Sequence, residues 1–225
     1  MAELEVPDDT DALALARGGE VNPLRPLFTG DVITDVEVPI FGDSPGCVAV
    51  LSHPCAMRRG ADLAPVLHVA PVSEYQAGRA VWEGHFRVMP LGEVAGFPNA
   101  AIRLDQMTLV RSETLDPDRR VFCASRPGVN LLRQRLVHHL TRVIIDTPTF
   151  DEEAAPAHEE IDLMEEWLET AAAALVGVAD ASAHFHEWIR EVENGSPRQE
   201  RLKDPQAVAG IRRAARSAAR ERYGA

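Results

Sequence analysis

The sequence predicts an α+β protein, in which a small β-barrel or sandwich is followed by an α-helical C-terminal region. Between Asp31 and Val110, short apolar or alternating segments are separated by turns rich in Gly, Pro and Asp, a pattern typical of β-strands. After about Asp116, apolar residues recur at steps of three and four, as they do on one face of an amphipathic helix. A chain of 225 residues, 45% of them hydrophobic, is long enough for one packed domain with an appendage.

The strand region contains five candidate segments. The first alternates polar and apolar residues in its second half, and the second and third are continuous apolar runs that suit buried strands. The candidate strands span residues 31–38, 47–52, 66–72, 84–90 and 100–110. The segment before them, 1–23, is rich in acidic residues and alanine. We expect that segment to be flexible, with at most one short helix at 10–17.

The helical region has four candidate helices. The apolar face of the first consists of Val129, Leu132, Leu136, Leu140 and Val143. The other three are predicted at 159–176, 181–192 and 204–223, with a break at 194–197 before the last one. The last helix has the clearest start, because Asp204 can cap it and Pro205 suits its first position.

These segments divide the chain into four regions. They are a flexible N-terminal segment (1–23), a β-barrel (24–115), a helical region with an acidic helix (116–195) and a basic C-terminal helix (196–225). No stretch approaches the roughly 20 apolar residues of a membrane span, and the N-terminus lacks the basic-then-apolar order of a signal peptide. Three cysteines are too few for a disulfide framework, so we expect a cytoplasmic protein.

Charge excludes some partners and suggests others. The chain carries 23 basic and 35 acidic side chains, for a net charge of −12, which disfavours wrapping of duplex DNA. Residues 151–170 hold nine carboxylates and no Lys or Arg, whereas 197–225 hold eight Lys or Arg residues and three acidic residues. The acidic segment 151–170 is a solvated helix face, a docking surface for a basic partner, or a mimic of nucleic-acid phosphates.

The basic tail, 204–223, aligns Arg212, Arg216 and Arg220 at four-residue steps. Such a line can contact RNA phosphates, an anionic membrane, or the acidic segment of the same or a neighbouring chain. The apolar face of the tail is too small for firm membrane anchoring. We favour pairing with the acidic segment and expect no membrane partner.

Four short strings within the barrel region carry a resemblance to a known family. They are GDVI at 30–33, VAVLS at 48–52, VLHVAPVS at 66–73 and AIRLDQM at 101–107, followed by an apolar helix. In this order they resemble the PemK/MazF toxin family over residues 30–143, about half of the chain. The resemblance implies an SH3-like β-barrel, often a homodimer, that cleaves single-stranded RNA without a metal or other cofactor.

The catalytic positions implied by the resemblance do not all match. The arginine that grips the scissile phosphate in the family falls on Gly46 in this sequence, and the family's threonine falls on Ser73. Phosphoryl transfer needs positive charge where negative charge develops, so a replacement cation would have to come from Arg58, Arg59 or Arg87.

If the barrel is correct, His53, Cys55, Arg58, Arg59 and Ser73 are expected to meet at one rim, where the family binds its substrate. Ser73 would assist attack by the 2′-hydroxyl, and His53 would exchange a proton because its pKa is ordinarily near neutral. Arg58 and Arg59 would stabilise the developing charge. Arg87 and Cys55 are candidate substrate-binding residues.

Two other chemistries use the same rim. His53 and Cys55 are two residues apart, so on a strand their side chains point to the same face. They could hold zinc together with Cys47, His68 or His85. Cys55 could be a nucleophile if His53 or His68 lowered its pKa; otherwise it is a buried, inert thiol. Neither pattern includes a second close ligand pair, so we predict no metal.

The leading interpretation is a toxin-like or defence-associated, RNA-related barrel with an altered ribonuclease site. Its partners would be single-stranded RNA, a second copy of the chain, or a protein bound through segment 151–170 or the tail at 204–223. A toxin-like barrel could also occlude its own groove with the acidic segment. The alternative function is a non-catalytic adaptor that binds a protein partner through the barrel groove and the charged helices.

Overall fold

The computed structural model describes residues 4–7, 9–38, 41–42, 44–75, 86–193 and 195–224. It confirms the α+β class: a nearly closed antiparallel β-barrel is followed by C-terminal helices. The chain forms two compact units. The barrel unit contains residues 1–23, 27–57 and 64–153, and the helical unit contains residues 24–26, 58–63 and 154–225. None of the helices in the described residues has the length and apolar character needed to cross a membrane.

The strands are β1 (Ala14–Arg17), β2 (Val32–Val36), β3 (Gly46–Val50), β4 (Arg58–Arg59), β5 (Asp62–Leu63), β6 (Val66–Glu74), β7 (Val88–Val94), β8 (Phe97–Arg103), β9 (Thr108–Arg111), β10 (Arg120–Ala124), β11 (Val192–Glu193) and β12 (Ser196–Pro197). The helices are α1 (Arg126–Thr141), α2 (Thr147–Ala173), α3 (Val178–Arg190), α4 (Arg198–Arg201) and α5 (Pro205–Tyr223).

The barrel sheet has the strand order β1-β10-β2-β3-β6-β8-β7, and β9 pairs with the first half of β6. Every pair in the sheet is antiparallel. Val48, Ala49 and Val50 of the central strand β3 are all fully buried. Burial on both faces explains why β3 is a continuous apolar run rather than an alternating one.

Residues 10–17 are part of this barrel, which differs from the prediction of a flexible segment with a short helix at 10–17. Thr10–Leu13 is a short 3-10 turn, and the following strand β1 pairs with β10. Leu13 is only 2% exposed within the barrel core. Long-range packing and pairing therefore decide the structure of a segment whose local composition favours neither strand nor order.

Arg17 connects the two ends of the sheet, β1 and β7. Its guanidinium donates hydrogen bonds to the main-chain oxygens of Leu91 (3.0 Å) and Glu93 (2.6 Å) on β7. Between these residues Gly92 has a φ of +76°, and a Cβ there would lie 2.8 Å from the Thr10 hydroxyl oxygen. Among the described residues, the Arg17 side chain thus bridges the two end strands of the sheet.

A buried ion pair lies between β10 and the segment before β2. Arg120 and Asp31 are 4% and 1% exposed, and their side chains are 2.8 Å apart. Asp31 also accepts a hydrogen bond from the Phe28 main-chain nitrogen, and Arg120 donates to the Asn22 main-chain oxygen. These bonds satisfy charges that would otherwise be costly to bury.

Several predicted boundaries differ from the structure. The segment predicted at 84–90 is β7, which starts at Val88; residues 84 and 85 lie outside the described residues. The segment predicted at 100–110 covers the end of β8 and most of β9, separated by a turn at Leu104–Gln106. The barrel unit extends past the predicted boundary at residue 115, because it includes β10 and α1.

The helical unit has a separate core of α2, α3 and α5 residues around Trp167 and Phe185. The helix predicted at 159–176 is α2, which already begins at Thr147, and its first seven residues belong to the barrel unit. The last helix starts as predicted, since the Asp204 carboxylate accepts the Gln206 main-chain N–H at 3.0 Å. Residues 196–225 are not a separate region, because α5 packs within this core.

Candidate functional site

Gly46, where the resemblance implies an arginine, opens strand β3 opposite Val36 of β2. The ring of Phe41 covers its Cα. A Cβ built on Gly46 would lie 2.4–2.7 Å from three carbons of that ring, closer than real atoms approach. The backbone here leaves no room for a side chain while Phe41 stays in place, so an arginine at this position would require the ring to move.

Ser73 is half-buried near the end of β6, where it pairs with Ala101 of β8. His53 follows β3 at the other end of the β3–β6 pair, beside His68, whose main-chain N–H is bound by the Ser52 hydroxyl. Ser73 lies five residues from His68 along β6, a distance of roughly 17 Å in an extended strand. The predicted meeting of Ser73 and His53 at one rim is therefore not found.

Both ring nitrogens of His53 have partners in the barrel unit. Nδ1 accepts a hydrogen bond from the Cys55 main-chain N–H at 3.2 Å and so caps the turn at Pro54–Ala56. Nε2 lies 2.9 Å from an Arg133 guanidinium nitrogen and 3.5 Å from a Glu153 carboxylate oxygen. Burial and the positive charge of Arg133 lower the pKa of His53, which favours a neutral imidazole at pH 7.

Arg133 is the centre of this cluster, and sequence analysis did not single it out. Its guanidinium binds the Glu153 carboxylate at 2.7 Å, which lowers the pKa of that group, and packs 4.8 Å from the centre of the Phe150 ring. Only 8% of Arg133 is exposed. Because its partners are 20 and 80 residues away, no local spacing marks it. The cluster joins α1 to the start of α2, which is a structural role.

Cys55 is exposed, whereas Cys47 and Cys123 are buried. Burial, together with the negative charge of Asp35, raises the pKa of the Cys47 thiol to about 12. In the part of the chain that the structure describes, no three His, Cys, Asp or Glu side chains are grouped to hold a metal ion. His85, one of the candidate zinc ligands, lies outside that part.

Arg58 and Arg59 form the two-residue strand β4, which pairs with β5 in the helical unit. The charges of Arg58 and Arg190 act on His186 in the same unit: together with burial, the larger effect, they lower its pKa to about 4. Burial also raises the pKa of Glu160, which accepts a hydrogen bond from Gln199 at 2.8 Å. The contacts described for Arg58 and Arg59 thus belong to a polar cluster inside the helical unit.

Arg87 is exposed just before β7, and it does not lie beside Ser73. Pro90 is the β7 residue level with Ser73, because both pair with Ala101. Arg87 comes three residues earlier, roughly 10 Å further along the strand direction. Its guanidinium is instead 5.9 Å from the centre of the Phe86 ring.

The net charge of the barrel unit disfavours the binding of a polyanion. The unit contains 21 carboxylate side chains and 11 arginines, and most of its exposed arginines are paired. The pairs are Arg17–Asp11, Arg103–Asp105, Arg111–Glu113, Arg119–Asp35 and Arg126–Asp151. An RNA strand approaching this surface would meet net negative charge.

The basic tail pairs with the acidic segment of the same chain, as favoured from the sequence. Arg212 is 3.0 Å from Glu159, and Arg216 binds both carboxylate oxygens of Glu166, at 2.7 and 3.0 Å. These hydrogen bonds lower the pKa of Glu166. Two arginines of the predicted line are therefore neutralised within the helical unit.

Comparison with known proteins adds no relative: no protein-family model matches the chain, and no curated protein matches it significantly.

Proposed function

We propose that the chain is a non-catalytic adaptor whose acidic barrel unit binds a protein partner with a basic surface. One observation carries this proposal: the Phe41 ring occupies the space above Gly46 where the resemblance places the phosphate-binding arginine. Loss of one such donor typically costs about 10²–10³ in rate. The barrel thus retains a family-like strand pattern without the group on which the family's chemistry depends.

The other predicted catalytic groups do not replace that arginine. Ser73 and His53 stand at opposite ends of the β3–β6 pair, and His53 is already engaged by Cys55, Arg133 and Glu153. General acid–base catalysis requires the reacting groups to reach the same substrate atoms within about 3 Å. This separation supports the adaptor over the metal-independent ribonuclease.

Charge indicates the kind of partner. Glu74 on β6 and Gly92 on β7 both pair with Ala100, so Glu74 and Glu93 lie near the same end of the sheet. Both carboxylates are exposed, and neither has an ion pair among the described residues. Complementary charge accelerates association and selects partners, which favours a basic protein surface here. A cytoplasmic setting is part of this proposal, because three cysteines are too few for a disulfide framework.

A cleavage assay tests the absence of catalysis. Single-stranded RNA is incubated with the full-length protein and with a Ser73→Ala variant, each with and without EDTA. We expect both proteins to leave the RNA intact. Metal-independent cleavage that disappears in Ser73→Ala would overturn the adaptor and restore the toxin-like ribonuclease.

A purification experiment tests binding. The tagged protein is isolated from the cells that make it, and its partners are quantified for wild type and for a Glu74→Lys/Glu93→Lys variant. We expect a stoichiometric basic partner that is lost from this variant and released by salt. A control variant, Glu187→Lys/Glu221→Lys, changes the same charge in the helical unit and should retain the partner. Equal retention by all three proteins would contradict the proposed surface.

A further inference from the structure

An aromatic ring surrounded by cationic and imidazole side chains lies on the barrel unit, and it includes the contact of Arg87 with Phe86 described above. We call it the Phe86 patch; its members are Phe86, Arg87, His138, His139 and Arg142. The Arg142 guanidinium is 4.2 Å from the centre of the Phe86 ring, and that of Arg87 is 5.9 Å from it. The two guanidinium carbons are therefore at most about 10 Å apart, close enough to act on one small ligand.

Histidine side chains complete the patch from helix α1. His139 Nδ1 is 3.1 Å from the Phe86 main-chain oxygen, and the ring of His138 meets the Phe86 ring edge-on at 6.1 Å. Because a carbonyl oxygen only accepts hydrogen bonds, Nδ1 of His139 carries the proton. Its Nε2 is then an acceptor in the neutral ring and a donor once the ring is protonated.

The patch differs in charge from the surface around it. Other exposed or half-exposed arginines of the barrel unit are paired with carboxylates, such as Arg103 with Asp105 and Arg111 with Glu113. Within the described residues, neither Arg87 nor Arg142 has a carboxylate partner. Two unneutralised guanidiniums thus meet at one ring on a unit with an excess of ten negative side chains.

Helix α1 explains only part of this arrangement. Arg142 is the C-cap of α1, and His138 and His139 are in its last turn, where the helix dipole favours positive charge. Arg87 precedes β7 and is not at a helix end. Like charges brought together in this way are stabilised when an anion binds between them.

We propose that the Phe86 patch binds a compact phosphate dianion, as in a phosphomonoester or pyrophosphate. Guanidinium groups recognise phosphate oxygens through paired, charge-assisted hydrogen bonds. The imidazole of His139 can add a further donor. The acidic surface around the patch repels a long polyanion but has less effect on a small ligand held at short range. The site would give the proposed adaptor a phosphorylated small-molecule ligand, and it stands on observations separate from that proposal.

Isothermal titration calorimetry with pyrophosphate and with adenosine 5′-monophosphate tests the site on the full-length protein. We expect saturable binding to wild type, weakened about tenfold or more by Arg87→Gln or Arg142→Gln, because each removes charge-assisted bonds. The Arg142→Lys variant should recover only part of the affinity, since an ammonium lacks the planar fork. The matched control is Arg111→Gln, an exposed barrel arginine paired with Glu113, and it should bind like wild type.

Three outcomes would overturn the proposal. The first is the absence of binding of either probe to wild type at millimolar concentration. The second is an equal loss of affinity in Arg111→Gln, which would indicate unspecific attraction to the protein surface. The third is tighter binding of a single-stranded RNA without terminal phosphates, which would assign the patch to phosphodiesters. Circular dichroism and thermal unfolding verify that the variants at these exposed arginines fold. None of the binding results depends on the protein partner of the proposed adaptor.

Discussion

Phe41 and Gly46 form a close contact that one added methyl group would disrupt. A Cβ on Gly46 would lie within 2.4–2.7 Å of the Phe41 ring, so the ring or the strand has to move. A longer side chain at position 46, such as that of arginine, would likewise require the Phe41 ring or the strand to move.

We therefore expect Gly46→Ala to lower the free energy of unfolding by about 1–3 kcal/mol, the usual cost of overpacking. Urea denaturation measures the change. Adding Phe41→Ala to Gly46→Ala removes the clash. The free energy of unfolding of the double variant should therefore fall by less than the sum of the decreases in the two single variants. Strict additivity of the two changes would show that the ring does not restrict this position.

Cys55 should be the thiol that reacts in the native protein. It is exposed, whereas Cys47 and Cys123 are buried and the pKa of Cys47 is raised to about 12, which leaves its reactive thiolate scarce. Titration with a chromogenic disulfide reagent should find one fast thiol in the native state and three after unfolding. Cys55→Ser should abolish the fast reaction. Persistence of that reaction in Cys55→Ser would contradict the burial of the other two thiols.

At the scale of elements, the Arg17 side chain links β1 and β7, the two end strands of the barrel sheet. Arg17 donates to the main-chain oxygens of Leu91 and Glu93 on β7 and lies 5.4 Å from the centre of the Phe122 ring. The contact joins a strand that sequence analysis did not foresee, β1, to the far edge of the sheet.

Replacement of Arg17 by Ala should lower the free energy of unfolding by about 1.5–3 kcal/mol, the range for hydrogen bonds made by charged groups. Arg17→Lys should retain only a part of the stability that Arg17→Ala loses, because one ammonium cannot span both carbonyl oxygens with the same geometry. Chemical denaturation compares these variants with Arg111→Ala, whose loss of the exposed Glu113 pair should cost less than about 1 kcal/mol. Equal effects of Arg17→Ala and Arg111→Ala would refute the closure role.

At the scale of the whole molecule, each of the two units has its own apolar core, and charge is distributed unequally between them. The barrel unit holds most of the negative excess. The helical unit instead encloses ionisable groups, among them His186, which is 5% exposed and whose ring nitrogens have no hydrogen-bond partner among the described residues. Protonation of this buried imidazole at acidic pH should therefore lower the stability of the helical unit.

The pH dependence has a definite sign. The pKa of His186 is about 4 in the folded chain, against 6.5 ordinarily, so the unfolded chain binds an extra proton between these values. The free energy of unfolding should consequently fall as the pH is lowered from about 6.5 to about 4. Glu160, whose pKa is raised by burial, acts in the opposite direction at the acidic end.

Urea denaturation at pH 7 and pH 5 compares wild type with His186→Phe, which keeps a ring but cannot be protonated. We expect the variant to lose less stability over this interval than wild type does. If wild type and His186→Phe lost the same free energy of unfolding between pH 7 and pH 5, His186 would not be the group responsible. Because only the difference between the two pH values is compared, a change in overall stability of the variant does not affect the result.

The sequence predicted those features that depend on neighbours along the chain. The start of α5 follows from Asp204 and Pro205, and the continuous apolar run at β3 signals a strand buried on both faces. The pairing of Arg212 and Arg216 with the acidic segment followed from opposite charges on two helices. Strand β1 was missed, because its burial comes from pairing with β10, more than 100 residues away.

The candidate site was the least predictable part. Alternation along a strand shows which residues share a face, but the ends of β6 that hold Ser73 and His68 are distinguished only by register with β3, β8 and β9. In the same way, the meeting of Arg87 and Arg142 at Phe86 joins positions 55 residues apart. The amino-acid sequence by itself determined the α+β class, the start of α5 and the charge of the chain, because propensity, capping and periodicity are local. Only the tertiary structure decided which side chains meet and that Phe41 covers Gly46, because strand register and long-range packing are set by the fold as a whole.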